Sequence, residues 1–190
     1  MLAIFLDQET TGLDSQRHRT IEIAFKIVDV STDEVLASYE TIVRQPREVW
    51  ELHDPSSIQV NGFKWEDLES GKPPAQVSSE IRELFIKMGI KRGQAVFICQ
   101  NPSFDRAFFN HLIHVDEQER LNWPYHWLDL ASMYWFVRMS SANGEPFPEK
   151  IILSKDSIAE YYGLPPEAKP HKAVNGVDHL LLCYRSILRE

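Results

Sequence analysis

The stretch Leu2-Ala-Ile-Phe-Leu-Asp7-Gln-Glu9-Thr10-Thr11-Gly12-Leu13 joins an unbroken apolar run to two carboxylates and a hydroxyl-rich turn. A short apolar run ended by turn-forming residues reads as a buried strand. Side chains alternate across a strand, so Asp7 and Glu9, two positions apart, point to the same side of it. Two like charges placed together need a partner or free access to water. The turn Thr10-Thr11-Gly12-Leu13, rich in hydroxyls and backbone donors, sets the pair in a defined loop rather than at a trailing strand end.

Outward from this strand, residues 20–30 alternate apolar with other residues at a period near two, and so do residues 35–43 beyond the turn Ser31-Thr-Asp-Glu34. This pattern predicts a hairpin beside the first strand, three strands in all, mixed or antiparallel. Pro73-Pro74 opens a segment with apolar residues at Val77, Ile81, Leu84, Phe85 and Met88, a helical period that stops before Gly89. Residues 95–99 form a short apolar strand, and residues 104–115 return to helical spacing, as a βαβ crossover requires. Trp127-Leu-Asp-Leu130 leads from a strand into an aromatic-rich helix over 130–139, residues 140–148 have the composition of a connector, and residues 154–162 and 177–188 complete the set as helices. The expected order is βββαβαβ(α)αα, an α/β chain in a single domain over residues 1–190.

Composition narrows the classes. With 43% hydrophobic and 25% charged residues, the 190-residue chain suits one globular domain with a sizeable core. Its apolar runs fall short of the roughly 18 residues of a membrane helix, and the start lacks the basic region and cleavage site of a signal peptide. Cys99 and Cys183, far apart in the chain, form neither a disulfide framework nor a metal spacing, so a reduced, cytoplasmic setting is expected. The net charge of −8 argues against a sequence-specific binder that works through a basic surface. It is compatible with a nuclease in which metal ions bridge acidic side chains to phosphate. Arg17-His18-Arg19, Lys87 with Lys91-Arg92, and Lys169 with Lys172 are candidate backbone contacts, although solvated surface charge is the ordinary reading of each.

Phe5-Leu-Asp-Gln-Glu-Thr-Thr-Gly-Leu13 resembles the first motif of the DEDDh exonucleases, the group related to the proofreading epsilon subunit of bacterial DNA polymerase III. Further stretches match in the family's order. Ser57-Ile-Gln-Val-Asn-Gly-Phe63 with Leu68 is similar to its post-hairpin segment, and Ile98-Cys-Gln-Asn-Pro-Ser-Phe-Asp-Arg-Ala-Phe-Phe109 to its second motif. Trp127-Leu-Asp-Leu130 resembles the next strand, Ser157-Ile-Ala-Glu-Tyr-Tyr-Gly-Leu164 the helix before the third motif, and His171-Lys-Ala-Val174 the start of that motif. The resemblance implies a ribonuclease-H-like fold, a mixed sheet of about five strands flanked by helices. It also implies 3′-to-5′ hydrolysis of terminal phosphodiester bonds.

On this resemblance Asp7, Glu9 and Asp105 are the metal-holding acids and His171 is the general base, an imidazole being the side chain that ordinarily titrates nearest neutrality. Hard oxygen donors select Mg²⁺ or Mn²⁺, two ions per site, for in-line attack of water on the phosphorus. Thr10, Thr11 and Gly12 are expected at the 3′ nucleotide, and Asn101 as the residue that orients Asp105. The partner is DNA with a free 3′ end, with RNA as the alternative; no membrane is involved, and no polymerase partner is identified. One position departs from the family. Its fourth acid follows the histidine at the fifth place, which here is Gly176, with Asp178 two residues on. If Asn175-Gly176 makes a turn and the last helix starts near Val177, Asp178 becomes the fourth catalytic and metal-holding acid, within about 5 Å of Asp7. If the helix starts earlier, Asp178 faces away and the chain is either an enzyme with three acids or a weakened binding module.

Overall fold

Alternation in the first third of the chain produces a meander of three strands, β1 (Leu2–Thr10), β2 (Thr20–Asp29) and β3 (Glu34–Ile42). The structure, a computed structural model, describes residues 1–141 and 150–189. β1 pairs antiparallel with β2, and β2 with β3, as the hairpin pattern requires. β4 (Ala95–Cys99) and β5 (Trp127–Asp129) add in parallel on the other side of β1, giving a five-stranded mixed sheet in the order β3-β2-β1-β4-β5. This is the α/β arrangement expected from the sequence.

Between β3 and β4 lie α1 (Arg47–Trp50), α2 (Pro55–Asn61), α3 (Trp65–Glu69) and α4 (Pro74–Lys87). Then come α5 (Pro102–Leu112) and α6 (Val115–Arg120) before β5, and α7 (Leu130–Ser140), α8 (Lys155–Tyr161) and α9 (Ala173–Ile187) after it. The longer helices stand close to where periodicity put them. α1, α2, α3 and α6, four to seven residues long, are additional to the helices expected from the sequence. Most of the expected connector over 140–148, from residue 142 on, lies outside the described residues. Among those described, no helix is long and apolar enough to cross a membrane, and Cys99 and Cys183 are free and buried.

β1 is buried on both faces, which explains its nearly continuous apolar run. Ile4 and Leu6 join Ile23, Phe25, Phe97 and the α4 residues Val77, Ile81 and Phe85 on one side. Ala3 and Phe5 meet Leu130, Ile158, Val177 and Leu180, from α7, α8 and α9, on the other. Side-chain alternation carries this second face past Phe5 to Asp7 and Glu9, so the carboxylates emerge beneath the C-terminal group of helices. Phe85 anchors the opposite core, with ring centroids 5.4 Å from Phe25, 6.1 Å from Phe97 and 4.8 Å from Trp123. Phe85→Ala should lower unfolding free energy by ~3–5 kcal/mol, the usual loss for truncating a fully buried aromatic; urea denaturation measures it. A loss below ~1 kcal/mol would show that this core is not packed as described.

Candidate active site

Asp105 reaches the Asp7–Glu9 edge by a separate route. After β4, Asn101 adopts a left-handed backbone (φ 58°), which Asn tolerates better than most residues, and turns the chain into α5. Asp105 then lies in the first turn, 3% exposed. Gln8, on the strand face opposite Asp7, locks this arrangement: its Nε2 donates to the Asp105 carbonyl oxygen at 2.8 Å, and its Oε1 accepts from the Thr20 hydroxyl at 3.0 Å.

The carboxylates crowd one desolvated edge. Burial, followed by repulsion from Asp7, holds Glu9 up at about 8. Burial also raises Asp7, outweighing the pull of Lys155, and raises Asp105 well above the carboxylate range with Asp7 adding to it. Glu22, the cross-strand partner of Glu9, is raised by burial too, and its Oε2 accepts the Ala173 N–H at 2.7 Å. That bond satisfies one of the free donors at the start of α9.

The third side of the site comes from the segment between α8 and α9. Glu167 is buried, with Oε2 2.8 Å from Lys155 Nζ and Oε1 3.1 Å from His171 Nδ1. The latter contact has ion-pair distance without hydrogen-bond alignment. The His171 N–H donates to the Val60 carbonyl at 3.2 Å, tying this segment to α2. His179 lies below, donating from Nε2 to the Pro165 carbonyl at 3.0 Å, with Nδ1 3.8 Å from Glu167. Asp7, Glu9, Asp105 and His171 therefore share one edge, as the sequence leads one to expect.

Asp178 is not brought there. α9 begins at Ala173, four residues before the expected start at Val177, so Asn175-Gly176 lies within the helix and makes no turn. Two residues correspond to about 200° around a helix, which carries Asp178 away from the face of Gly176. The Asp178 side chain is 53% exposed and pairs with Lys26. Position 176 is the one that faces Asp7: a Cβ there would stand 1.9 Å from Asp7 Oδ2 and 3.1 Å from Lys155 Nζ. Glycine is required because the Asp7 carboxylate packs directly onto the helix backbone.

The residues expected at the 3′ nucleotide have partners of their own in the structure. The Thr10 hydroxyl donates to the Gly12 carbonyl at 2.8 Å, and Thr11 Oγ1 accepts the Arg19 N–H at 3.0 Å, so both buried hydroxyls serve the turn itself. At Gly12 a Cβ would meet the His18 ring at 2.4 Å, so this glycine admits the histidine. The Asn101 Oδ1 accepts from the Ser103 hydroxyl at 2.7 Å. Beside Glu9 and Thr10 an open cleft of about 300 Å³ is lined by Leu13, Ser57, Val60 and Phe104. Leu13 is 72% exposed and Val60 52%, an apolar rim next to an acidic edge. Of the basic groups, Arg19 is spent on the carbonyls of Ser15, Gln16 and His18, Arg92 pairs with Glu119, and Lys172 lies over the Phe63 ring.

Lys155, Glu167 and Glu22 escaped sequence reasoning. Glu22 sits in a strand pattern without a motif, and Glu167 in a Pro-rich loop. For Lys155 a signal existed: a cation in the first turn of a helix opposes the helix dipole. Among the described residues, no group of three or more His, Cys, Asp or Glu side chains is arranged so that it could hold a metal ion as it stands. The donor chemistry of Asp7, Glu9 and Asp105, hard oxygens with too little positive charge beside them, fits a divalent cation. Position 176 adds no side-chain oxygen.

A family model described as Exonuclease, RNase_T, matches residues 4–175. No curated protein matches the sequence. Exonuclease I from Methylocaldum szegediense has a similar structure, with a TM-score of 0.79 at 20% identity over 100% of this chain and 40% of that one. E. coli exonuclease I in complex with a dT13 oligonucleotide gives 0.76 at 14% identity, over 99% and 41%. The nuclease domain of 3′hExo, a DEDDh family member bound to rAMP, gives 0.73 at 14%, over 99% and 92%. The fold is thus the ribonuclease-H-like one expected, and the chain spans about two fifths of either exonuclease I.

The raised Glu9 makes stability pH-dependent in a defined direction. Between its ordinary 4.5 and about 8, the folded chain keeps a proton that the unfolded chain has released. The group's contribution is therefore complete below pH 4.5 and declines as pH rises through 8. The melting temperature of chelator-treated protein should fall across this window, and Glu9→Gln should flatten the slope. An unchanged slope in the variant would count against a desolvated Glu9.

Proposed function

The chain belongs to the RNase T-type exonuclease family, and on that premise we propose that it is a metal-dependent 3′-to-5′ exonuclease that releases nucleotides from single-stranded or frayed DNA ends. The observation that carries this reading is the convergence of Asp7, Glu9 and Asp105, all held above their ordinary protonation range, on one edge with His171. Asp7, Glu9 and Asp105 are the residues to hold Mg²⁺ or Mn²⁺. When bound, such a cation supplies Lewis-acid polarisation of the phosphoryl oxygens and of the attacking water.

His171 takes the proton of that water. Glu167 stands on its Nδ1 side, so the accepting nitrogen is Nε2, on the side of the ring away from that carboxylate. The cleft beside Glu9 receives the terminal nucleotides, with Leu13, Val60 and Phe104 offering apolar surface to the base faces. The Glu9-Thr10-Thr11 motif favours the epsilon-like branch over the oligoribonuclease type. A different reading, a nucleic-acid-binding module with little turnover, is favoured by Gly176 alone, since it removes the fourth acid.

A gel assay on matched 3′-ended DNA and RNA oligonucleotides with Mg²⁺, Mn²⁺ or EDTA tests both. The RNA arm is needed because telling the sugars apart rests on local contacts to one 2′-hydroxyl. Mononucleotides should appear from the 3′ end with either ion, and EDTA should abolish their release. Digestion from the 5′ end, or full activity in EDTA, would refute the exonuclease reading; intact DNA and RNA with retained binding would establish the module. Asp7→Ala should cost at least ~10³-fold in rate. His171→Ala should cost roughly 10²–10⁴-fold and flatten the acidic limb of the pH–rate curve. An acidic limb unchanged in that variant would remove His171 from the role of base.

A further inference from the structure

Lys155 is the first residue of α8, where the helix dipole disfavours a cation, and its side chain is 13% exposed. Both features cost stability unless buried anions answer them. Here they do: Nζ stands 2.8 Å from Glu167 Oε2 and 3.5 Å from Asp7 Oδ1, and it approaches the Gly176 carbonyl oxygen at 3.5 Å. The Glu167 side chain is 2% exposed, so the ammonium is fixed from behind by a carboxylate that has little water to turn to.

The ammonium also lies where a fourth acid would reach. A Cβ built at position 176 would be 3.1 Å from Lys155 Nζ and would collide with Asp7 Oδ2. Any acidic side chain at 176 would have to displace both. The absence of an acid at 176 and the presence of a buried lysine against the same Asp7 carboxylate are therefore two sides of one arrangement. A point charge of +1 at this position satisfies Asp7 and competes electrostatically with any ion that would share it.

We propose that Lys155, anchored by Glu167, is a resident cation that takes the place of one of the two divalent ions, so that the site binds one divalent ion, on Asp7, Glu9 and Asp105. This rests on the metal-dependent reading above. The expectation of two ions per site is replaced by one ion and one ammonium.

Titration of the metal-stripped full chain with Mn²⁺, followed by electron paramagnetic resonance of free and bound ion, tests the proposal without reference to turnover. The wild-type chain should bind one Mn²⁺ with the spectrum of an isolated ion. Lys155→Met, which keeps the length of the side chain and removes its charge, should bind Mn²⁺ at least ~10-fold more tightly. Should that variant fail to fold, the wild-type stoichiometry still decides. Two Mn²⁺ per wild-type chain with a spin-coupled spectrum would overturn the resident cation and leave the exonuclease reading standing, as would equal affinity in Lys155→Met. No Mn²⁺ bound by either protein would overturn both.

Discussion

The crossing of α9 over β1 is the contact on which the site depends. A helix can lie directly against a strand that carries a carboxylate only where the helix presents no side chain, and Gly176 supplies that gap over Asp7. The same crossing buries Phe5 against Tyr184 at a centroid distance of 5.0 Å and closes the core formed with α7 and α8. Packing therefore sets how deeply Asp7 is buried, and the burial makes its charge costly. The electrostatics of the site follow from a helix–strand contact.

Around this contact, negative charge is met by structure of several kinds. Glu22 is directed to the open N-terminus of α9. Glu167 is shared between Lys155 and His171. Asp105 is buried behind β1, its backbone held by Gln8. Glu9 is left with little direct compensation, and burial together with the neighbouring Asp7 holds it up at about 8. A site with this imbalance is poised to accept positive charge. A catalytic arrangement often keeps such a deficit because it can act on an incoming cation or on charge developing in a reaction.

The departure at position 176 is tied to its surroundings. Asp178 pairs with Lys26 on the outer side of α9 and belongs to the surface. The interior side of the same helix turn meets Lys155, whose position at the head of α8 opposes the helix dipole. Position 176 brings neither charge nor side chain, and the Asp7 carboxylate takes the space above it. Lys155, held by Glu167, puts a positive charge beside that carboxylate.

Much of this was legible in the sequence. The period-two runs over residues 20–43 and the apolar run before Asp7 specify strands, and the spacing of Asp7 and Glu9 places both on one face, because strand geometry is local and repeats every two residues. The helices α4, α5, α7 and α8 were readable because helix geometry is equally local, with a repeat of about 3.6 residues. Tertiary structure alone decided where α9 begins, since Asn175-Gly176 has turn propensity by itself and yields to the cap from Glu22 and to packing on β1. It alone decided that Lys155 and Glu167 enter the site, from a helix end and a loop with no periodic pattern. Local sequence records the conformations a segment prefers. Which charges become neighbours depends on contacts between segments far apart in the chain, and it was these that turned Asp178 outward and put an ammonium beside Asp7.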